Sequence, residues 1–496
     1  MKRAAALLTL LATACSTMEP KLGRPDPAIP PSWPVGSPYL TQSEAALPAV
    51  TYKQILTDVR LQTLISQALV NNRNLMIAAS NIAAAREQYR IQRAQQFPQL
   101  DAAAGVTVTG ERTNSTSTTT PTTSSSKVVA NYTAGLSVPS FELDLFGRLR
   151  SLTHAQLELY FATEAGARAT RLTLVADIAS AWLTYAADSS LLLIFTQTAV
   201  SAQESVRITR LRLDAGVAPR SDLSQAVEIL TQAQADLAQQ RTFVAQDVNA
   251  LQLLVGAPIN RALLAGSIDE AGATIADPPA GVDSYVLLRR PDVVQAEYQL
   301  RAANANIGAA RAALFPKITL TGLLGFASSA LASLFTGGAF GWSAGANAAY
   351  TIFQAGAGHA NVRLTEAQRN AALASYQLAI QTAFEEVANA LARRGTMDEQ
   401  LSAIARNRAA AADVYLIEEA RYKAGVDPYL SLLVAQRSYY SAQQVYVATK
   451  LVAAQNRVTL YQSLGGDSLL QTAPLCAVSY VSNAGNATLA SQCPPG

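Results

Sequence analysis

The chain has 496 residues, half of them hydrophobic and only 15% charged, with a formal net charge of +3. No basic run stands out, so the electrostatic footprint of a nucleic-acid-binding protein is missing and we expect no nucleic-acid partner. Aromatic residues make up only 7% of the chain, whereas alanine is abundant. Because alanine is the best helix former and lets helices approach closely, this composition indicates extensive, tightly packed helix.

The N-terminus has the pattern of a secretory signal. Two basic residues precede an apolar run that ends at Leu11, and small residues follow as far as Cys15. We therefore expect residues 1–14 to be a signal peptide. Cleavage after the small residues could be of the ordinary kind, but Cys15 directly behind them resembles a bacterial lipoprotein box. We favour lipidation of Cys15, with residues 15–50 as a lipid-anchored linker.

Two pairs of segments alternate with a period of two, within about 99–145 and about 316–353. One face of each is apolar and the other is small and polar, which is typical of transmembrane β-strands. A soluble sandwich with one wet face is the alternative. Beyond Pro139 the alternation changes parity, which predicts a bulge or the point where the strand leaves the membrane. The apolar positions of two of these strands are Ala130, Tyr132, Ala134, Leu136 and Val138, and Phe340, Trp342, Ala344, Ala346 and Ala348.

Long helices are predicted after each pair of strands, over about 148–214 and about 357–424. A shorter helix follows each of them, over about 220–256 and about 429–464. Gly216 and Gly425 stand between long and short helix, with a proline shortly beyond, and such glycines end helices. Heptad spacing in the short helices has a seam that contains polar residues, so each helix is expected to face several neighbours.

The chain is an internal repeat. Ala215-Gly216-Val217 followed by Pro219 recurs as Ala424-Gly425-Val426 followed by Pro428, and the heptad register survives between the copies. We assign the first repeat to residues 51–256, a linker to 257–282 and the second repeat to 283–465. Each repeat comprises a helix, a β-hairpin, a long helix and a short helix.

The four predicted strands cannot close a barrel, and a membrane sheet cannot leave an edge unpaired in lipid. Oligomerisation is therefore required. Two copies would give eight strands and an interior filled by side chains, whereas three copies give twelve and leave room for a lumen. We predict an α+β membrane protein whose homotrimer completes a 12-stranded β-barrel, continued by a long α-helical barrel.

The C-terminal tail, residues 466–496, is expected to be irregular because it is rich in Gly, Ser, Asn and Pro. If Cys15 carries lipid, Cys476 and Cys493 remain as an even pair in an oxidising compartment. A disulfide between them is the favoured interpretation, and two free thiols are the alternative.

Two motifs are similar to those of the TolC-like outer membrane efflux family, in its lipoprotein (NodT-type) branch. They are Phe141-Glu142-Leu143-Asp144-Leu145-Phe146-Gly147-Arg148 and Leu288-Arg289-Arg290-Pro291-Asp292-Val293. The resemblance implies a trimeric duct in the outer membrane that extends into the periplasm. It also implies a periplasmic adaptor and an inner-membrane resistance-nodulation-division pump as partners, with drugs, metals or other small molecules as cargo. Type I protein secretion is the alternative cargo class.

The same resemblance implies functional residues at the helix turns. The turns that meet the adaptor match Ala215, Gly216, Val217, Ala424, Gly425 and Val426. The family closes its tip with side chains on the helix after the second turn, often Leu, Asp and Arg, and these positions are Leu430, Val434 and Arg437. Because Val434 stands at the acidic position, closure is expected to be more apolar, with Tyr429 nearby. Asp427 either supplies acidity instead or serves as a plain turn residue.

An enzyme is not expected from this sequence. The two histidines, His154 and His359, begin separate predicted helices without metal-ligand spacing, so we predict neither a catalytic site, nor a metal, nor a cofactor. A purely structural coiled coil would fit the heptads but would leave the alternating strands unexplained.

Overall fold

The computed structural model describes residues 17–23, 29–30, 32–34, 39, 51–113, 125–277, 284–466, 478–483 and 486–491, without the side chains of 111–127 and of residues beyond 466. The predicted lipidation site, Cys15, and the two cysteines of the predicted disulfide, Cys476 and Cys493, lie outside the described residues.

The helices follow the repeat. The first repeat contains α1 (Tyr52–Ile55), α2 (Val59–Asn71), α3 (Arg73–Ala94), α4 (Arg148–Asp214) and α5 (Arg220–Val255), and the linker contains α6 (Ile268–Ala273). The second contains α7 (Pro291–Ala312), α8 (Ala357–Lys423) and α9 (Tyr429–Ser463). The two long helices, α4 and α8, each have 67 residues.

The strands are β1 (Asp101–Thr113), β2 (Ser125–Glu142), β3 (Lys317–Ser328) and β4 (Phe340–Ala349), which form one antiparallel sheet in chain order. The register between β2 and β3 shifts between Val138 and Phe141, so the predicted bulge at Pro139 is confirmed. Cross-strand partners share a face of the sheet. One apolar row across all four strands is formed by Ala102, Leu136, Leu324 and Trp342.

Two further strands, β5 (Val478–Asn483) and β6 (Asn486–Ser491), pair in the C-terminal tail. The expectation of a wholly irregular tail was wrong here. The alternation of Val, Ser and Tyr in β5 suits a strand, and its signal was masked by the turn-forming residues around it.

The two compact units of the chain do not coincide with the two sequence repeats. One compact unit contains residues 1–25, 83–162 and 297–375, and the other contains residues 26–82, 163–296 and 376–496. Each unit therefore draws on both repeats. The first, which we call the sheet unit, holds β1 to β4; the second, the helical unit, holds the two helix turns at Gly216 and Gly425.

The core of the helical unit is built around α4. Trp182 is fully buried together with Ile178 and Leu183, and its indole N–H donates to the carbonyl of Leu263 at 3.0 Å. By length and composition α4 is the one helix among the described residues that could cross a membrane. Part of its apolar surface packs into this core, together with residues of α2 such as Leu61.

The motif from Phe141 to Arg148 forms the strand-to-helix junction of the sheet unit. Glu142, at the end of β2, accepts two hydrogen bonds from Arg148 at the start of α4 and one contact from Lys317 at 2.9 Å. Phe146 stacks on Phe315 with ring centroids 4.7 Å apart. The residues that carry the family resemblance therefore fix how a strand enters a long helix.

The second motif ties helices together in the helical unit. The Arg290 side chain is buried and donates to Asp292, to Glu386 at 2.8 Å and to the carbonyl of Ser463 at 2.7 Å. Burial lowers and these partners raise the pKa of Arg290, with a net rise. One guanidinium group thereby joins the start of α7, the middle of α8 and the end of α9.

Candidate functional site

The two helix turns of the helical unit have the same backbone geometry. Gly216 and Gly425 adopt φ values of 72° and 77°, in the left-handed region that glycine occupies without a steric penalty. The next residue donates its N–H back to the last helical turn, from Val217 to Arg212 and from Val426 to Arg421. These are the bonds of a Schellman motif, so the glycines end the long helices as the sequence predicts.

Apolar side chains stand out at both turns. Val217 is 66% exposed and Val426 is 63% exposed, whereas a Schellman motif commonly packs this residue against its own helix. Pro219 and Pro428 then occupy the N-cap positions of α5 and α9. Each turn therefore presents a short, exposed apolar tip.

Two predicted gate residues share a groove. Leu430 and Val434 lie one turn apart on α9, each is 58% exposed, and both line a groove of about 640 Å³ whose opposite wall, on α8, includes Val414. Arg437 lies outside this groove, and its guanidinium is 3.6 Å from a carboxylate oxygen of Glu228. The structure therefore brings Leu430 and Val434 together and sets Arg437 apart.

Asp427 is engaged within its own turn. Both of its carboxylate oxygens accept hydrogen bonds from Arg421, in the last turn of α8. This hydrogen bond is the main cause of the lowered pKa of Asp427. The geometry fits the turn role for Asp427 that the sequence left open, because its charge is already paired.

Tyr429 does not line the groove. Its side chain is fully buried, beside Leu432 and Leu433 and 5.5 Å from the ring of Tyr422, and burial raises its pKa to about 12. Tyr429 is next to Leu430 in the sequence, but its side chain faces the interior of the helical unit and not the groove.

Sequence reasoning missed a contact between the two long helices. The hydroxyl groups of Thr209 and Tyr422 are 2.9 Å apart, and Arg212 donates to the carbonyl of Tyr422 at 2.7 Å while lying 4.6 Å from its ring centroid. The available signal was the pair of tyrosines, Tyr422 and Tyr429, that flank Gly425. These contacts tie the last turn of α4 to the last turn of α8.

No metal site emerges from the described part of the chain, where no group of three or more His, Cys, Asp or Glu side chains is arranged to hold an ion. His359 is exposed in the first turn of α8. His154, near the start of α4, contacts Glu19 and Glu158.

Similar proteins were identified from sequence and from structure. The profile of the family described as "Outer membrane efflux protein" matches residues 64–257 and 284–466. The chain is 40% identical to the antibiotic efflux pump outer membrane protein ArpC of Pseudomonas putida, over 94% of this chain and 96% of that one. It is 34% identical to the cation efflux system protein CusC of Escherichia coli, over 92% of this chain and 98% of that one.

A solved structure supports the same fold. The open state of the MtrE outer membrane channel of Neisseria gonorrhoeae superimposes with a TM-score of 0.79 at 33% sequence identity, covering 91% of this chain and 98% of that one. A membrane-type sheet combined with paired long helices and apolar turns defines a β-stranded membrane protein with helical hairpins. The chain belongs to the outer membrane efflux protein family. The predicted outer membrane efflux family, the α+β channel fold, the efflux function and the outer-membrane location are thereby confirmed, whereas the lipoprotein branch stays a prediction.

Proposed function

We propose that three copies of this chain form one channel, which is the passive exit duct of a tripartite efflux system. The observation that carries the proposal is the sheet: β1 and β4 each have a single neighbour among the described strands, so both edges are open. Open edges are not tolerated in lipid, and four strands cannot close. Three copies would supply twelve strands around a lumen.

The surface of the sheet supports a membrane location. Trp342, Phe340 and Leu324 are 72%, 52% and 48% exposed in the single chain and belong to apolar rows across the strands. An outward apolar band flanked by aromatic residues is the signature of a transmembrane barrel. The other face carries small residues, such as Gly135, Gly325 and Gly341 in one row, which suits the wall of a lumen.

The turns at Gly216 and Gly425 are the proposed contact with a periplasmic adaptor. Exposed Val217 and Val426 give each turn an apolar tip, and covering exposed apolar area with a partner is favourable. The remaining partner is an inner-membrane pump of the resistance-nodulation-division class, which would deliver cargo through the adaptor.

Drugs, metals or other small molecules are the proposed cargo. Relatives of similar identity are named for antibiotic efflux and for cation efflux, so the duct itself does not identify one cargo. A passive duct also needs no catalytic group. The efflux relatives favour this role over protein secretion.

Native mass spectrometry of the protein extracted from outer membranes tests the assembly, and planar-bilayer recordings test the channel. We expect a trimer that conducts ions. A stable monomer or dimer in the membrane fraction would refute the proposed duct, because neither gives a twelve-stranded barrel.

Lipidation of Cys15 is a further part of the proposal, and it would hold the mature N-terminus at the membrane. Intact-mass measurement of the mature chain decides it, since acyl groups on Cys15 add a defined mass. A mature chain that begins at Ser16, or at an unmodified Cys15, would rule out the anchor. The same mass, measured after thiol alkylation, tests whether Cys476 and Cys493 are bonded.

A further inference from the structure

The loop between β3 and β4 lies at the end of the sheet opposite to the long helices. Helices α3 and α7 lead into β1 and β3, whereas β2 and β4 lead out into α4 and α8. All four helices therefore join the sheet at one end, and the β1–β2 and β3–β4 connections lie at the other. Because the protein extends from the outer membrane into the periplasm, this other end belongs to the outer leaflet.

The two hairpins of the sheet extend to different levels. Strand β2 begins at Ser125 but pairs with β3 only from Tyr132, which lies opposite Ser328. The β1–β2 hairpin thus continues past the end of β3 by roughly 20 Å, at about 3.3 Å per residue. Strands β3 and β4 have 12 and 10 residues, and about 9 to 11 tilted residues cross the hydrocarbon layer of a membrane. The β3–β4 loop therefore begins at the outer edge of that layer.

The composition of the two connections differs in the same way. Residues 114–124, in the longer hairpin, consist only of Asn, Ser, Thr and Pro. Residues 329–339, in the β3–β4 loop, contain no charged residue and include Leu331, Leu334 and Phe335. Leu334 is buried, but Leu331 and Phe335 are 63% and 73% exposed. Large apolar side chains that stay exposed beside an apolar sheet face indicate an interaction surface.

Phe335 attaches the loop to one particular face of the sheet. Its ring packs edge-on against Phe326 with centroids 5.4 Å apart, and Phe326 packs in the same manner against Phe340 at 5.6 Å. Phe326 and Leu324 are two residues apart, so they share a face, and their cross-strand partners are Phe340 and Trp342. The loop is therefore folded onto the apolar face of the sheet.

The position of Phe335 argues against two other partners. To plug a lumen, the loop would have to fold over the opposite face, which carries Gly325 and Gly341. A neighbouring copy would meet the open edge of β4, but Phe335 packs on Phe326 of β3, which already has a strand on each side. The partner that fits this face is the lipid around the sheet.

Polar groups of the loop are bonded within it, which lowers the cost of contact with lipid. The hydroxyl oxygens of Ser328 and Ser333 are 2.7 Å apart, and the hydroxyl of Thr336 donates to the carbonyl of Ser333 at 2.7 Å. The N–H of Ala339 donates to the carbonyl of Thr336 at 3.0 Å, and the N–H of Ala327 donates to the carbonyl of Ala339 at 2.8 Å. The loop thus has a defined fold of its own.

We propose that residues 329–339 form a lipid foot, in which Leu331 and Phe335 insert among the acyl chains of the outer leaflet. They extend outward the apolar surface that Phe340 and Trp342 form on the sheet. The proposal rests on the proposed duct, because it requires the sheet to be part of a membrane barrel. Insertion removes exposed apolar area from water, which is favourable, and so resists sliding of the barrel toward the periplasm.

Tryptophan fluorescence of the full-length protein in phosphatidylcholine nanodiscs tests the lipid foot. Trp342→Phe removes the exposed tryptophan of the sheet and leaves Trp33 and Trp182, which are buried, as a background to subtract. Phe335→Trp and Leu331→Trp are each added to this variant. Emission is compared between nanodiscs whose acyl chains are brominated near the headgroup and unbrominated ones, and is measured separately with acrylamide in the water.

We expect the added tryptophan of both variants to lose as large a fraction of its emission to brominated lipid as Trp342 of the parent loses. Acrylamide should quench it little. The matched control is Leu323→Trp in the same background, because Leu323 is an exposed leucine of β3 on the opposite face of the sheet. That tryptophan should be quenched by acrylamide and not by brominated lipid.

Quenching of Phe335→Trp and Leu331→Trp by acrylamide alone would overturn the proposal, since the loop would then stand in water. Quenching by neither reagent would overturn it as well, because protein would then cover the loop. Native mass spectrometry of the same nanodiscs separates this result from the fate of the duct. A trimer with acrylamide quenching refutes the lipid foot alone, whereas a monomer or dimer refutes the duct and the foot with it.

Discussion

Helices α3 and α7 occupy equivalent places in the two repeats, each 22 residues long and each leading into a β-hairpin, but their burial is opposite. None of the residues of α3 is buried, and Ile77 and Ile91 are 58% and 66% exposed. In α7, by contrast, Leu300 and Ile307 are completely buried. Duplicated sequence has therefore not produced duplicated environments.

The difference indicates which helices lack packing partners in a single copy of the chain. The start of α8, which follows β4, also has no buried residue from 357 to 375, and Leu364 there is 54% exposed. Bare helices thus neighbour both open edges of the sheet along the chain, α3 beside β1 and α8 beside β4. A head-to-tail ring joins the two ends of one copy to the opposite ends of its neighbours. We infer that α7 packs within a chain, whereas α3 packs between chains.

A charge introduced into the exposed apolar face of α3 should have the largest effect, which is on the assembly of the trimer. Ile91→Glu in α3 would place a carboxylate in the proposed interface, where an unpaired buried charge costs about 3 kcal/mol or more per copy. We expect the trimer to be lost in native mass spectrometry while circular dichroism still reports the helices. Arg86→Glu, on the opposite side of α3, introduces the same carboxylate and should leave the trimer intact.

If both variants stay trimeric, α3 does not contribute to the interface, and the exposed stripe of Ile77 and Ile91 has another partner. If both fall apart, the charge acts through the whole helix rather than through one face. Only the difference between the two variants supports the head-to-tail ring.

Truncation in the buried helix should have the next largest effect. Ile307→Ala removes a fully buried side chain from α7 and should lower the free energy of unfolding by roughly 2 to 5 kcal/mol. Because this packing lies within one chain, the shift of the denaturation midpoint should not depend on protein concentration. Ile91→Ala, the same truncation at an exposed isoleucine of α3, should give a shift that grows on dilution, since dilution weakens contacts between copies. Equal behaviour of the two variants would contradict the division between α3 and α7.

The sequence could predict those features that repeat along the chain. Alternation of side chains identified the strands, the parity change at Pro139 identified the bulge, and Gly216 and Gly425 identified the turns. It could not predict the contacts of residues 17–23 with α4 and α7, because Glu19, His154 and Asn304 lie far apart in the sequence and share no periodicity. It also could not predict the opposite burial of α3 and α7, since burial depends on which neighbours the fold supplies.

A pair of acidic residues between α4 and α5 should make stability depend on pH. Burial, the hydrogen bond that the protonated Asp247 carboxyl donates to Asp188, and the charge of Asp188 raise the pKa of Asp247 to about 7. The ordinary value is 3.8, so between these limits the folded state holds more protons than the unfolded state. The free energy of unfolding should therefore fall as the pH rises from about 4 to 7, and the loss is complete above 7.

Asp247→Asn removes the titrating group and should flatten this part of the profile, which makes the variant more stable than the parent at pH 8 but not at pH 4. Denaturant unfolding at the two pH values measures the difference. We expect it to be smaller than the effect of Ile307→Ala, because solvent screens a group that is only partly buried. An unchanged profile would show that the two carboxylates do not share a proton.

The two helix turns also make different contacts at equivalent positions of the repeat, as α3 and α7 do. Arg212 and Arg421 occupy the same place before the two glycines, but Asp427 has Ala218 as its counterpart. Arg421 therefore binds Asp427 in its own turn, whereas Arg212 reaches Tyr422 on the other long helix. One acidic residue decides whether the arginine closes its own turn or links two helices.

The gate variants should have the smallest effect on the stability of the chain, because Leu430 and Val434 are exposed in the single copy. In a three-fold ring each side chain would become a ring of three, and an apolar ring narrows the tube and disfavours water and ions. Val434→Asp would set three negative charges close together, and their repulsion is little screened within a Debye length of about 10 Å at 0.1 M salt. Leu430→Ala would remove bulk instead.

Single-channel conductance in planar bilayers should therefore rise for both variants, and cation selectivity should rise most for Val434→Asp. Asp427→Asn serves as the comparison, since it weakens the pairing with Arg421 at the turn and leaves the groove unchanged. We expect Asp427→Asn to conduct like the parent, because its carboxylate is already neutralised by Arg421. If conductance instead changes for Asp427→Asn and for neither groove variant, the constriction lies at the Gly425 turn, and Leu430 and Val434 only line the wall behind it.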